Sequence, residues 1–293
     1  MQVTLLELPY DSAWAHRRMG AGPRHLLENG LEQDLREHHD LDLRRLQTSG
    51  DLPTEIHTSF ALYRQLAQQV QAARQQGRYP LALAGNCGAA LGMLAGLQND
   101  ALGVIWLDAH GDFHTPETTS SGFLDGMALA TLTGQAWQTL AASIPGFRAI
   151  GPQQVLHIGG QDLEDREREA AEAAGMQLVA AQTIREAGVA AALADALQAL
   201  QGEVRQVYVH VDLDVLDAQE VGPANTYATG GGLTTAQVLA ILDGVQQVCP
   251  LVGASVASYD PSVDAQGRVL AAARQIAAKL IPERPSLSGP SLV

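Results

Sequence analysis

Cysteine, basic side chains and long apolar runs are what this 293-residue chain has little of. Only two cysteines occur, Cys87 and Cys249, which excludes a disulfide-built scaffold and points to a reducing, cytoplasmic setting. No apolar run approaches the length of a membrane span. The start, Met1-Gln2-Val3-Thr4, lacks the basic residues and apolar core of a secretory signal. Lysine and arginine number 18 against 32 acidic residues, for a formal net charge of -14. That balance repels phosphate at long range, so neither nucleic acid nor a membrane is the expected partner, and a small neutral or cationic molecule suits it better. No linker rich in Pro, Ser or Gly and no internal repeat divides the chain. A single domain is therefore expected over residues 1–281, with 282–293 as a tail that leaves the core or packs on a neighbouring subunit.

What is present is a rhythm of short β-rich runs and longer segments rich in Ala, Gln and Leu. It predicts an α/β fold, a largely parallel sheet flanked by helices. Strands are expected at 3–8, 80–84, 102–108, 154–159, 176–179, 206–213 and 251–257, several of them apolar on both faces as buried parallel strands are. Helices are expected at 58–76, 88–97, 124–134, 163–174, 184–201, 234–247 and 267–281, where apolar residues recur at three-to-four spacing.

Two of these strands run straight into acid. In Val104-Ile105-Trp106-Leu107-Asp108-Ala109-His110-Gly111-Asp112, the residues Asp108, His110 and Asp112 alternate, so an extended chain turns all three the same way. In Val209-His210-Val211-Asp212-Leu213-Asp214 the pattern returns with Asp212 and Asp214. Carboxylates converging at strand ends repel one another or lose hydration unless something positive sits among them, and a divalent cation removes that cost. The set is rich in oxygen, which suits Mn²⁺, and large enough to hold two ions. Caps on the turns after the strands are the alternative use for such aspartates. His210 faces the same way as Asp212 but reads as a core or supporting histidine rather than a ligand.

Asp108-Ala109-His110-Gly111-Asp112 resembles the Asp-Ala-His-x-Asp motif of the ureohydrolases, the superfamily of arginase, agmatinase and formimidoylglutamase. The stretch from His210 to Asp217 resembles that superfamily's Ser-x-Asp-x-Asp-x-x-Asp-Pro motif. Gly230-Gly231-Gly232-Leu233-Thr234 is similar to its Gly-Gly-Leu-Thr, and Gly20-Ala21-Gly22-Pro23-Arg24 also matches, so the resemblance spans nearly the whole chain. It implies an arginase-like three-layer domain, assembled as a homotrimer or homohexamer, with two manganese ions at the strand ends. Asp108 and Asp212 would then bridge both ions, Asp112 would complete one site, and His110 with Asp214 the other. A water activated by the ions would attack a guanidino carbon.

Several positions depart from that pattern. Ala84-Gly85-Asn86-Cys87-Gly88 stands where the family has Gly-Gly-Asp-His-Ser, so Cys87 replaces a histidine ligand; a helix start would lower its pKa and let the thiolate bind metal. The loop from Thr115 to Gly126 resembles the arginase branch, in which it binds an α-carboxylate. Thr119 and Ser121 keep hydroxyls there, His114 replaces an Asn, and Phe123 another. Asp125 stands where a proton-shuttling histidine is found; it and His114 are the candidates for moving protons, while Asp125 could equally cap a helix. Asp162 and Glu164 fall where acidic groups bind the substrate ammonium, or simply begin a helix. Ser258 replaces a glutamate that pairs with the guanidinium, a loss that weighs less for a less basic guanidine such as an N-hydroxyguanidino amino acid.

The expected activity is metal-dependent hydrolysis of a linear C–N bond in a guanidino or amidino compound. Two alternatives stand beside it. One is a catalytically silent relative that binds metal or a metabolite. The other is a hydrolase with Cys87 as nucleophile, paired with a histidine such as His110 and needing no metal.

Overall fold

The computed structural model describes residues 1–48, 54–97 and 101–282, so the expected tail, Pro282 apart, lies outside the described residues. The strands are β1 (Gln2–Leu8), β2 (Tyr10–Asp11), β3 (Trp14–Ala15), β4 (Asp40–Arg45), β5 (Tyr79–Ala84), β6 (Leu102–Asp108), β7 (Val155–Gly159), β8 (Gln177–Ala180), β9 (Gln206–Asp212) and β10 (Leu251–Ala257). β2 and β3 pair as a small antiparallel ribbon. The other eight form one sheet in the order β4-β1-β5-β10-β9-β6-β7-β8, every pair of neighbours parallel. Parallel neighbours need crossovers, and the helices between them cover both faces.

Alternation along the strands builds two cores. Val3, Leu5, Leu81, Leu83, Ile105, Leu107, Val209 and Val211 face one way. They meet Leu193 and Leu200 of helix Val189–Glu203, Val238 and Ile241 of helix Thr235–Val248, and Ile276 of helix Arg268–Lys279. Leu6, Leu8, Ala82, Ala84, Val104, Trp106 and Tyr208 face the other way, against Leu62, Leu66 and Val70 of helix Glu55–Gln75 and Leu91 and Leu94 of helix Ala89–Leu97. The result is three layers, with no helix among the described residues long and apolar enough to cross a membrane. Both cysteines are buried and unpaired.

The seven expected strands form within a residue or two. The eighth, β4, was not expected: Asp40-Leu41-Asp42-Leu43-Arg44-Arg45 lies at the sheet edge, where one neighbour suffices and charge is tolerated. The expected helix at 184–201 is two helices, Ala181–Ala187 and Val189–Glu203, because Gly188 at φ 80 breaks the ladder between them. That at 124–134 is a 3-10 turn, Asp125–Met127, leading into Ala128–Leu132. The helical stretch from Gly22 to His38 was also not expected.

The connection from β5 to β6 skips the two places in the sheet that β9 and β10 fill later. Strand order therefore reverses between them, and the loops after β5, β6, β9 and β10 part to leave a crevice at the C-terminal edge. Gly85, directly after β5, keeps the wall of that crevice close: a Cβ there would collide with the carbonyl of Tyr10.

Candidate metal centre

Asp108 ends β6 and Asp212 ends β9, and the register that pairs Trp106 with His210 sets the two carboxylates side by side. Each divides its oxygens. Asp108 Oδ1 accepts from the His110 amide at 2.8 Å while Oδ2 accepts from Trp106 Nε1 at 2.9 Å. Asp212 Oδ1 caps the turn Leu213–Val215 through the Asp214 amide at 2.8 Å, and its Oδ2 accepts from Cys87 Sγ at 2.8 Å. Turn capping thus uses one oxygen of each strand-end aspartate, while the other meets the Trp106 indole in Asp108 and the Cys87 thiol in Asp212. Asp112, held at φ 48, is buried with Oδ2 lacking any hydrogen-bond partner.

Two donor groups converge here. Asp108, His110 and Asp214 form one, with His110 Nδ1 3.5 Å from Asp108 Oδ1 and 3.4 Å from Asp214 Oδ2. Cys87, Asp108 and His210 form the other, so Asp108 belongs to both. Asp112 and Asp212 contribute to neither group, although Asp212 touches Cys87.

Crowding shifts the proton affinities. Burial first, and neighbouring carboxylates after it, push Asp112 and Asp212 well above the usual carboxylate range, and burial raises Asp108 to about 6 against the His110 hydrogen bond. Burial alone would lower the His110 imidazole, but Asp108 and Asp214 outweigh it and raise it, while Asp214 is held low by the same contact. Cys87 corrects the expectation of a helix-lowered thiol. It precedes helix Ala89–Leu97 by two residues and is buried among Asp212, Asp125, Asp112 and Asp108, so its pKa is driven well up. Without a cation that thiol is no nucleophile, and its hydrogen-bond contacts are with acids and Ser258 rather than a histidine.

A cavity of about 130 Å³ opens onto these groups, lined by Cys87, His110, Asp112, Asp212, Asp214, Ser258 and, further out, His114, Asp125, Asp162 and Glu164. Asp125 is buried and binds the β5 loop rather than capping its own turn: Oδ1 accepts from the Gly88 amide at 2.9 Å and Oδ2 from Asn86 Nδ2 at 2.8 Å. Burial pushes it up to about 7. His114 Nε2 lies 3.5 Å from Glu164 and 3.6 Å from Glu167. Asp162 and Glu164 stand exposed at the rim. Thr119 and Ser121 do not line the cavity; their oxygens accept from the amides of Gly122 and Phe123 in their own loop. Ser258, buried at φ 66, lies 3.5 Å from Cys87 Sγ.

Other residues at the site were not anticipated. Asn225 bridges it, its Nδ2 donating to Asp214 Oδ2 at 3.2 Å and to the Ser258 carbonyl at 2.9 Å. Trp106 orients Asp108, Glu167 is buried beneath His114, and His157 Nε2 lies 2.7 Å from the His110 carbonyl. Tyr227 meets Phe123, already singled out in its loop, at the mouth with ring centroids 5.6 Å apart. Apart from Trp106, two residues before Asp108, these carry no short-range signal; the Asn225 contacts span 11 and 33 residues.

The arginase family profile matches residues 1–282. The chain belongs to the arginase family. The arginase of Bacillus subtilis is 30% identical over 240 residues, covering 78% of this chain and 80% of that protein. That of Bacillus caldovelox is 27% identical over 296 residues, covering 96% and 98%. The crystal structure of the Bacillus subtilis arginase superimposes with a TM-score of 0.84 at 27% identity, covering 97% of this chain and 99% of that one. Formimidoylglutamase from Bacillus subtilis shares the fold, with a TM-score of 0.71 at 19% identity.

In this arginase-family chain the donor set itself fits a cation. Carboxylates from two strands converge on a cavity that no lysine or arginine among the described residues lines, and Asp112 Oδ2 and His210 Nε2 are buried without partners. A divalent ion would supply the missing charge and reverse the local proton affinities, deprotonating a coordinating thiol.

Proposed function

We propose that this arginase-family protein is a divalent-metal-dependent hydrolase of a linear, non-peptide C–N bond in a small guanidino or amidino compound. One observation carries the reading: Asp108 belongs to two donor groups at adjacent strand ends, beside a cavity that no lysine or arginine among the described residues lines. His110, Asp108 and Asp214 would hold one ion; Cys87, Asp108, Asp112 and Asp212 would hold the second, with Asp108 and Asp212 shared. Mn²⁺ suits the oxygen-rich donors. Bound ions would supply Lewis-acid polarisation and a water activated at neutral pH.

The chain's own residues do the rest. Asp125, whose affinity for a proton lies near neutrality, and His114 pass protons between the cavity and solvent. Asp162 and Glu164 at the rim attract a substrate ammonium. Thr119 and Ser121 accept backbone amides and lie 3.4 Å apart, so with one hydroxyl donating to the other a single O–H is left to donate to a substrate carboxylate. Ser258 offers a hydroxyl and no countercharge for a guanidinium. The favoured substrate is therefore a less basic modified arginine such as N-hydroxy-arginine. Assembly as a homotrimer or homohexamer in the cytoplasm belongs to the same proposal.

The test is a screen of guanidino compounds for urea or hydroxyurea release with added Mn²⁺. Release from at least one compound, abolished by a chelator, is expected. Ions bound with no compound cleaved would leave a silent metal- or metabolite-binding relative instead.

A further inference from the structure

Below the strand-end carboxylates, one rung deeper in the sheet, His210 is fully buried, and its imidazole stacks on Trp106 with ring centroids 4.0 Å apart. Nδ1 lies 2.7 Å from Ser255 Oγ, which in turn lies 2.5 Å from Tyr208 Oη. Nε2 has no hydrogen-bond partner. A buried ring nitrogen without a partner forfeits its hydration with nothing in return, so a native core rarely keeps one without a use. In the tautomer with its proton on Nδ1, Ser255 accepts and Nε2 presents a lone pair; the other tautomer would bury an N–H with nothing to receive it.

That lone pair has company. A ring nitrogen of His210, the Cys87 sulfur and an Asp108 oxygen all lie within 4.8 Å of one another, and with Nδ1 engaged by Ser255 the nitrogen left to ligate is Nε2. Cys87 Sγ is 4.0 Å from Asp108 Oδ2. Zinc–sulfur and zinc–oxygen bonds at a tetrahedral angle separate their donors by about 3.6 Å, a contraction of a few tenths of an ångström. Trp106 Nε1 donates to that same Asp108 oxygen and Ser255 fixes the imidazole, so both ligands come with the supporting hydrogen bonds that orient metal ligands. Cys87 and His210 are also two positions where this sequence departs from the family motifs, with Cys in place of His and His in place of Ser, so the two exchanges meet in one group.

We propose that His210 Nε2, Cys87 Sγ and Asp108 form a nitrogen–sulfur–oxygen site for a zinc-class divalent ion, so that the second ion position is softer than the oxygen-rich position at His110 and Asp214. The inference rests on the two-ion reading above and changes the ligands and preference of one position. A thiolate and an imidazole favour zinc or cobalt over manganese; His110, Asp108 and Asp214 keep the harder ion.

Full-length chain stripped with a chelator and titrated with Zn²⁺, Mn²⁺ or Co²⁺ tests this without any activity assay. The wild type is expected to take one equivalent of Co²⁺ with a thiolate-to-cobalt charge-transfer band that Cys87→Ser abolishes. His210→Gln, checked for folding by circular dichroism, is expected to weaken that Zn²⁺ by about tenfold or more and leave the ion at His110 and Asp214 in place. Should His210→Gln fail to fold, X-ray absorption of His110→Gln loaded with one equivalent of zinc decides: sulfur with imidazole on the same ion supports the site, and sulfur without imidazole overturns it. Unchanged zinc affinity and an unchanged cobalt spectrum in folded His210→Gln overturn the His210 assignment alone. A wild type that takes up no divalent ion overturns this site and the two-ion reading together.

Discussion

Asp108 is the residue on which the centre turns, because its two oxygens serve a turn, an indole and both donor groups at once. On the proposed two-ion reading, removing it would deprive both ions of a ligand. Asp108→Ala is expected to lower the divalent-ion content measured by mass spectrometry from near two per chain to well below one. Asp112→Ala, whose residue belongs to neither converging group, should cost at most one ion. Equal content in wild type and Asp108→Ala would remove the shared-ligand reading. Ser258 sets a second expectation. A charge-assisted hydrogen bond in a water-poor pocket is worth about 2 to 3 kcal/mol, on the order of a hundredfold in rate or binding. The protein should therefore turn over plain arginine weakly, and Ser258→Glu should raise arginine turnover relative to an N-hydroxyguanidino substrate by about that factor. Brisk arginine hydrolysis by the unmodified protein would mean that a countercharge reaches the guanidinium from elsewhere in the pocket.

Among elements, the loop after β5 matters most, for it carries Cys87 and is clasped from outside by Asp125, which takes the Gly88 amide and the Asn86 side chain. Asp125→Ala leaves both donors unsatisfied, and a loss of about 2 kcal/mol, or several degrees in melting temperature, is expected by calorimetry. A melting temperature unchanged within a degree would show that the clasp does not hold the loop. The same element marks the limit of what local pattern can reveal. The carboxylate pairs after β6 and β9 are legible because alternation and an apolar strand announce both their direction and the strand end. Seven sheet strands are legible for the same reason, whereas β4, at the edge, has only Leu41 and Leu43 alternating among four charged residues, too short an apolar face to announce a strand. The partnership of Asp125 with Gly88, and of Asn225 with both Asp214 and Ser258, exists only because the sheet order brings separate loops together, and no spacing along the chain encodes it. Helix dipole logic likewise misjudged Cys87, since burial first, and four surrounding carboxylates after it, outweigh a helix end two residues away.

At the scale of the molecule, the sheet order places carboxylates from several loops at one edge, and the fold bears the electrostatic cost until a cation arrives. Asp108 is pushed up to about 6 and Asp125 to about 7, in each case first by burial. Each folded carboxyl therefore holds its proton more tightly than the unfolded chain does, whose aspartates titrate near 3.9. That contribution to stability is full below the unfolded value and is lost as pH rises through about 6 to 7. Divalent ions bind the deprotonated form and release those protons, so their stabilising effect must grow over the same window. The melting temperature with Mn²⁺ or Zn²⁺ minus that with chelator is expected to be small at pH 5 and several degrees at pH 7.5. Ion at a hundred times its dissociation constant adds about 2.7 kcal/mol, which is enough to produce such a shift. Asp108→Asn, which keeps the shape and cannot titrate, should flatten the dependence. A difference equally large at pH 5 and 7.5 would mean that the buried carboxylates are already ionised without the ion, and that the positive end of His110 alone suffices to hold them.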